Sequence, residues 1–194
     1  MFLPTTIKEV RALGWDYIDV ILFTGDAYID HPSFGAAVVS RLFEAEGYRV
    51  AVVPQPNWRD DLRDFKKLGR PRLCFCVSAG AMDSMVNHYS VSKKPRDKDM
   101  YSPGGKMGLR PDRATIVYCN KIREAYKNIN ICIGGVEASL RRFAHYDYWQ
   151  NEVRKSILVD SSADILSFGM GERSMKEICR RLASGEDVKN ITDI

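Results

Sequence analysis

The sequence predicts an α/β domain, doubly wound on a mainly five-stranded parallel sheet, and three observations carry the prediction. Apolar runs at 17–23, 48–53, 72–77, 129–135 and 163–169 are continuous rather than alternating, as in strands covered on both faces. Amphipathic or polar stretches of helical character separate them, which is what crossovers between parallel strands require. At 194 residues, 45% hydrophobic and 28% charged, the chain is long enough to bury one such core.

Each element follows from its residues. Thr6 with Glu9 three positions on forms a capping box and opens a short helix before Gly14. YIDVILF (17–23) is the first strand. The next helix starts at Ser33, an N-cap residue, places Phe34, Ala37, Val38, Leu42 and Ala45 on one face, and stops at Gly47. YRVAVV (48–53) gives the second strand, bounded by Pro54 and Pro56. A polar helix over 59–68 precedes the third strand, RLCFCV (72–77). Residues 113–127 form a helix, INICIGG (129–135) the fourth strand, and ADILSFG (163–169) the fifth. The last helix runs from Glu172 to Ala183. The order is that of a flavodoxin-like domain over 1–184, with 185–194 beginning a linker.

Two stretches break the alternation. Residues 89–112 contain Pro95, Pro103 and Pro111 with Gly104, Gly105 and Gly108, so neither period survives and a basic excursion is expected. Extended to Arg113 it holds seven basic residues (93, 94, 96, 98, 106, 110, 113) against acids at 97, 99 and 112. The second, 138–158, interleaves Arg141 and Arg142 with Phe143, Tyr146, Tyr148 and Trp149, and reads as a helical excursion.

Composition narrows the class. No apolar run approaches the roughly 18 residues of a membrane span, so no membrane partner is expected. The start, MFLPTTIKEVRALGWD, lacks the long apolar stretch of a secretory signal, and a cytoplasmic protein is expected. Five scattered cysteines (74, 76, 119, 132, 179) are odd in number and do not form a disulfide framework. Cys74 and Cys76 share a strand face as structural thiols, without the CxxC spacing of zinc ligands.

In a parallel sheet, ligands bind beyond the carboxyl ends of the strands. The candidate residues are therefore the polar and glycine positions of the loops at that edge. TGDAYIDHPSFG supplies Asp26, Tyr28, Asp30, His31 and Ser33; SAGAMDSMVNH supplies Ser78, Asp83 and His88. GGVEAS and its continuation supply Gly134, Gly135, Glu137, Arg141, Arg142 and His145, and GMGERS supplies Gly169, Gly171 and Glu172. His31 is either an acid, base or ligand oriented by Asp26 or Asp30, or a brace for the turn at Pro32. If the edge is a site, Asp26, Asp30 and His31 should face the glycine turns and line one pocket, and His88 and His145 should converge there too. Glu137 and Glu172 start helices whose dipoles favour their charge. Several sharper motifs fail. GGKM has Met100 where a P-loop needs its first glycine and no hydroxyl after Lys106; GMGERS has Ser174 in place of the third dinucleotide-binding glycine; VSAG lacks the aspartate of a phospho-acceptor receiver domain.

The segments GDAYIDHPSFG, EGYRVAVVPQPNW, MDSMVNHY, YSPGGK, RPDRATIVYCNKIREAY, GGVEASLRRFAHYDYW and GMGERS together resemble the N-terminal region of the YgiQ-type radical-SAM proteins, over nearly the entire chain. The strand ending in Gly-Gly and the later Gly-x-Gly-Glu look like the cobalamin-binding-like domain that precedes the barrel in many radical-SAM enzymes. The resemblance implies an accessory domain, with its partner, a barrel carrying a 4Fe-4S cluster and S-adenosylmethionine, following Ile194. It also implies a shared substrate or cofactor chamber whose substrate is unknown. None of the five cysteines has the Cys-x3-Cys-x2-Cys spacing of that cluster, so no catalytic residue or metal ligand, and no radical chemistry, is expected of this chain alone. Cobalamin with a histidine ligand is disfavoured, since the familiar pattern places Asp two residues before His and Gly three after, where Ile29 and Phe34 stand. The alternative is an RNA- or DNA-binding module using the basic excursion and the Arg/aromatic segment.

Overall fold

The structure, a computed structural model, describes residues 2–192. In chain order the elements are α1 (Ile7–Ala12), β1 (Val20–Thr24), α2 (Gly35–Ala45), β2 (Val50–Pro54), α3 (Arg63–Lys66), β3 (Cys74–Ser78), α4 (Ser84–His88), α5 (Ala114–Ala125), β4 (Asn130–Gly134), α6 (Gly135–Leu140), β5 (His145–Asp147), β6 (Glu152–Arg154), α7 (Ile157–Ser161), β7 (Ile165–Leu166) and α8 (Glu172–Ala183). The main sheet has the order β2-β1-β3-β4-β7 and every pairing is parallel. This is the expected doubly wound, five-stranded arrangement.

Because side chains alternate across a strand, each strand feeds two cores. Ile21, Phe23, Phe75, Val77, Ile131 and Ile133 pack with Phe65, Tyr118 and Ile122 on the α3/α5 side. Val20, Leu22, Val52, Cys74, Cys76 and Cys132 pack with Phe43, Met175, Ile178 and Leu182 on the α2/α8 side. Val188 and Ile191 also pack on this second layer. The last two residues of the linker expected over 185–194 lie outside the described residues.

The Thr6–Glu9 capping box forms as predicted, and α8 has the predicted bounds. Elsewhere the local reading needs correction. Ser33 does not cap α2: the N-cap is Phe34, which makes no side-chain hydrogen bond, and the Ser33 N–H donates to His31 Nδ1 at 3.1 Å. The polar helix of 59–68 shrinks to the single turn of α3, with Asn57 and Asp64 bonding across the preceding loop. The fifth strand pairs through two residues only.

The helical reading of 138–158 is overturned between 145 and 154, where β5 and β6 form an antiparallel hairpin with His145 opposite Arg154 and Asp147 opposite Glu152. Asp147 Oδ1 accepts from the N–H groups of Trp149 (2.9 Å) and Gln150 (3.0 Å), a side-chain turn that diverts the backbone from a helix. Arg113 holds the same carboxylate at 2.6 Å.

Candidate functional site

The carboxyl ends of β1, β3, β4 and β7 and the N-termini of α2 and α8 enclose a cleft of about 340 Å³. Its walls are apolar, with Leu22, Val39 and Met175 prominent, and Cys76 and Cys132 at its floor. Of the residues predicted for this edge, Ser33, Ser78, Gly134, Gly135, Gly169, Gly171 and Glu172 line it. Close approach of serine side chains explains some of these glycines: a Cβ on Gly135 would sit 2.7 Å from Ser78 Oγ, and one on Gly171 would sit 3.0 Å from Ser167 Oγ. Gly169, at φ +69, instead borders open space.

The acids of the first loop take other places. Gly25 brings that loop into backbone contact with the β3 loop, since a Cβ there would lie 2.1 Å from the Ala79 carbonyl oxygen. Asp26 follows and is buried: its Oδ2 accepts from Ala81 N–H (2.6 Å), and Arg110 reaches its Oδ1 at 3.0 Å. Arg110, itself 1% exposed, also donates to the Ala79 carbonyl at 2.7 Å and pairs with buried Asp99 at 3.1 Å. Burial raises the Asp26 pKa, with the Arg110 charge opposing it. Burial likewise opposes ionisation of Asp99, but the Tyr101 N–H and Arg110 outweigh it and hold that group below the usual range. These contacts staple the 89–112 excursion to the sheet, so Arg110 is an internal cation rather than part of a basic surface.

Asp30 forms a forked ion pair with Arg41 of α2, which lowers its pKa. Tyr28 packs edge-on against Phe2, and burial raises its hydroxyl pKa. His31 is exposed at the cleft rim beside Pro32 and Ser33, its Nδ1 occupied by the Ser33 N–H.

A second polar cluster underlies the β3 and β4 loops. Asp83 accepts from Met85 and Val86 N–H at the start of α4 and pairs with Arg141. Glu137, 1% exposed, points away from its own helix start: it accepts from Ser84 N–H (2.9 Å), Ser84 Oγ–H (2.5 Å) and Thr115 N–H (2.9 Å). One carboxylate thus joins the N-terminal turns of α4 and α5.

The three histidines fall into separate surroundings. His88 Nδ1 lies 2.6 Å from Asp112, which also accepts from Tyr89 O–H at 2.7 Å, beside another cavity of about 490 Å³. The His88 contact is the largest cause holding Asp112 below the usual carboxylate range. His145 Nδ1 faces the Phe143 carbonyl at 3.2 Å, on the hairpin. Arg142 lies over the rings of Phe143 (4.9 Å) and Phe168 (5.3 Å). Val136, Leu140, Phe143, Phe168 and Met170 are all exposed on this side of the sheet. Sequence reasoning missed the cleft's apolar walls and thiol floor; the available signal was the cysteine in the fourth strand, whose register opposite Cys76 cannot be read from spacing. Among the described residues no group of three or more His, Cys, Asp or Glu side chains is placed to hold a metal ion, and no helix is long and apolar enough to cross a membrane.

A UPF0313 protein of Clostridium perfringens is 61% identical over 193 residues, covering all of this chain and 29% of the relative. A UPF0313 protein of Porphyromonas gingivalis is 58% identical over 193 residues, with 30% of its length covered, and one of Pseudomonas putida is 56% identical with 25% covered. The chain therefore spans less than a third of these relatives. Among solved structures, the radical S-adenosylmethionine methyltransferase TsrM from Kitasatospora setae, with cobalamin and a 4Fe-4S cluster bound, aligns over 88% of this chain and 25% of its own, with a TM-score of 0.55 and 17% identity. At that identity the likeness is one of fold. The sequence pattern described as Radical SAM N-terminal matches residues 2–194, and the chain belongs to that family.

Proposed function

We propose that this N-terminal domain closes one end of a radical-SAM barrel in the longer protein and that its carboxyl edge forms part of the chamber for substrate or cofactor. The observation that carries this reading is the apolar cleft at the carboxyl ends of the central strands, with Val136, Leu140, Phe143, Phe168 and Met170 exposed on the same side of the sheet. Exposed apolar surface of this extent on one edge favours a protein contact. The relatives supply the length for a partner, since this chain covers 29% of the first of them. Ser33, Ser78, Ser167 and Glu172 are the polar groups that would orient a ligand in the cleft.

The cleft fits a flat, largely apolar group, such as the aromatic base that ends a corrinoid's tail, held between α2 and α8. A corrinoid would supply alkyl-transfer chemistry when bound. His31 does not fit as a cobalt ligand: with Nδ1 accepting the Ser33 N–H, the neutral ring carries its proton on Nε2 and has no lone pair there for a metal. Nucleic acid is not favoured, because Arg110 is buried and Arg113 is paired with Asp147.

Hydrogen–deuterium exchange on this chain and on a full-length relative tests the reading. Protection in the longer protein is expected at 134–143 and 167–172, with no change at the opposite sheet edge around 46–48 and 69–72. Protection confined to that opposite edge would refute it. Titration with hydroxocobalamin should give a visible spectrum unaffected by His31→Ala, and a spectral shift abolished by that substitution would overturn the assignment of His31.

A further inference from the structure

Four of the five cysteines meet on one face of the sheet. Cys74 and Cys76 alternate along β3, with their sulfurs 3.9 Å apart. Cys132 on β4 stands in register with Cys76, and Cys179 of α8 packs in the same core layer. All are buried free thiols. Cys76 and Cys132 line the cleft, which gives a small molecule a path to them. Cys119 sits in the core on the other side of the sheet.

We propose that Cys76 and Cys132 form a reactive dithiol at the cleft floor, a modification site that a small two-electron oxidant of the peroxide class converts reversibly to a disulfide. Register selects the pair. Neighbouring strands lie about 4.8 Å apart, so the two Cα atoms stand inside the roughly 4.4–6.8 Å span of disulfides. Residues two apart on one strand, Cys74 and Cys76, are separated by about 6.6 Å, at the far limit of that span. Hydrogen bonds from Cys74 and Cys76 favour the thiolate at Cys132 and hold it below the ordinary thiol value against the effect of burial. The Cys132 thiolate attacks one peroxide oxygen, the O–O bond breaks, and hydroxide leaves. The Cys76 sulfur then attacks the resulting sulfenic sulfur and expels a second hydroxide. The Cys76 thiol proton and one from solvent convert the two hydroxides to water, so two thiols are oxidised as one peroxide is reduced. The resulting S–S bond lies across the cleft floor. The site requires nothing of the cleft's ligand, and so stands or falls separately from the function proposed above.

The test uses the native chain. Hydrogen peroxide is added, remaining thiols are alkylated after denaturation, and peptides are mapped by mass spectrometry. Loss of two thiols is expected, restored by dithiothreitol, with a crosslinked peptide pair containing Cys76 and Cys132 and with Cys119 fully alkylated. Cys132→Ala should abolish the crosslink. Val39→Trp, which fills the cleft and keeps every cysteine, should slow its formation by about tenfold by blocking access. The wild-type map stands alone should a variant fail to fold. Retention of all five thiols under conditions that fully oxidise N-acetylcysteine, a crosslink through Cys74 or Cys119, or an undiminished rate in Val39→Trp would overturn the proposal.

Discussion

Removing the Glu137 carboxylate tests the claim that part of this edge is architecture rather than ligand site. Its oxygens accept from three donors, Ser84 N–H, Ser84 Oγ–H and Thr115 N–H, all in a region where Glu137, Ser84 and Thr115 are 0–1% exposed. In Glu137→Ala those donors lose their acceptor where water does not reach. At about 1–3 kcal/mol for each stranded backbone donor, with the cavity added, the variant should lose about 3–5 kcal/mol. Glu137→Gln separates charge and shape from hydrogen-bond polarity. The amide keeps the volume but turns one end into a donor, and either orientation sets N–H against N–H or O–H. It should therefore cost about 2–4 kcal/mol instead of being tolerated. Urea unfolding followed by far-UV circular dichroism measures both, with Glu172→Gln at the cleft rim as a control expected within about 0.5 kcal/mol of wild type. If Glu137→Gln also falls within that margin, the carboxylate does not join the two helices as argued.

Arg110→Met should leave Asp26 and Asp99 facing one another without their shared cation, costing about 3–5 kcal/mol in urea unfolding and opening the 89–112 excursion to proteolysis; wild-type stability and protease resistance would show that the staple is dispensable. Acid stability should follow the depressed carboxylates: Arg41 lowers Asp30, His88 lowers Asp112, and in Asp99 and Asp147 hydrogen bonds and neighbouring arginines outweigh burial. A folded-state pKa below the unfolded value stabilises the fold above about pH 4 and loses that contribution as pH falls through the folded value. Asp26, raised by burial, has the opposite sign: its contribution is present below the ordinary value and is lost as pH rises through its folded pKa. Since the depressed carboxylates outnumber the raised one, the urea midpoint should fall steadily below about pH 4, and a midpoint that rises there would contradict the assignment.

How much could be read from sequence divides along physical lines. Strand identity and topology were legible because they depend on local hydrophobic continuity and on the handed, short connections of parallel sheets, and the five expected strands appear in one parallel sheet. The capping box was legible because its donors and acceptors lie within three residues. What failed was competition for the same backbone groups. Ser33 makes no side-chain bond to α2, whose cap position falls on Phe34, and within 145–154 Asp147 binds the amides of Trp149 and Gln150. Within the candidate site the acids took other places for a different reason. Acids at the sheet edge looked available to a ligand because their partners lie far off in sequence: Arg110 is 84 positions beyond Asp26, and Ser84 lies 53 positions from Glu137. Spacing cannot reveal such pairs. Folding leaves at this edge a cleft lined by glycines, three serines, a glutamate and apolar walls. A cleft of that character binds shape before charge, which is why the ligand proposed for it is flat and apolar.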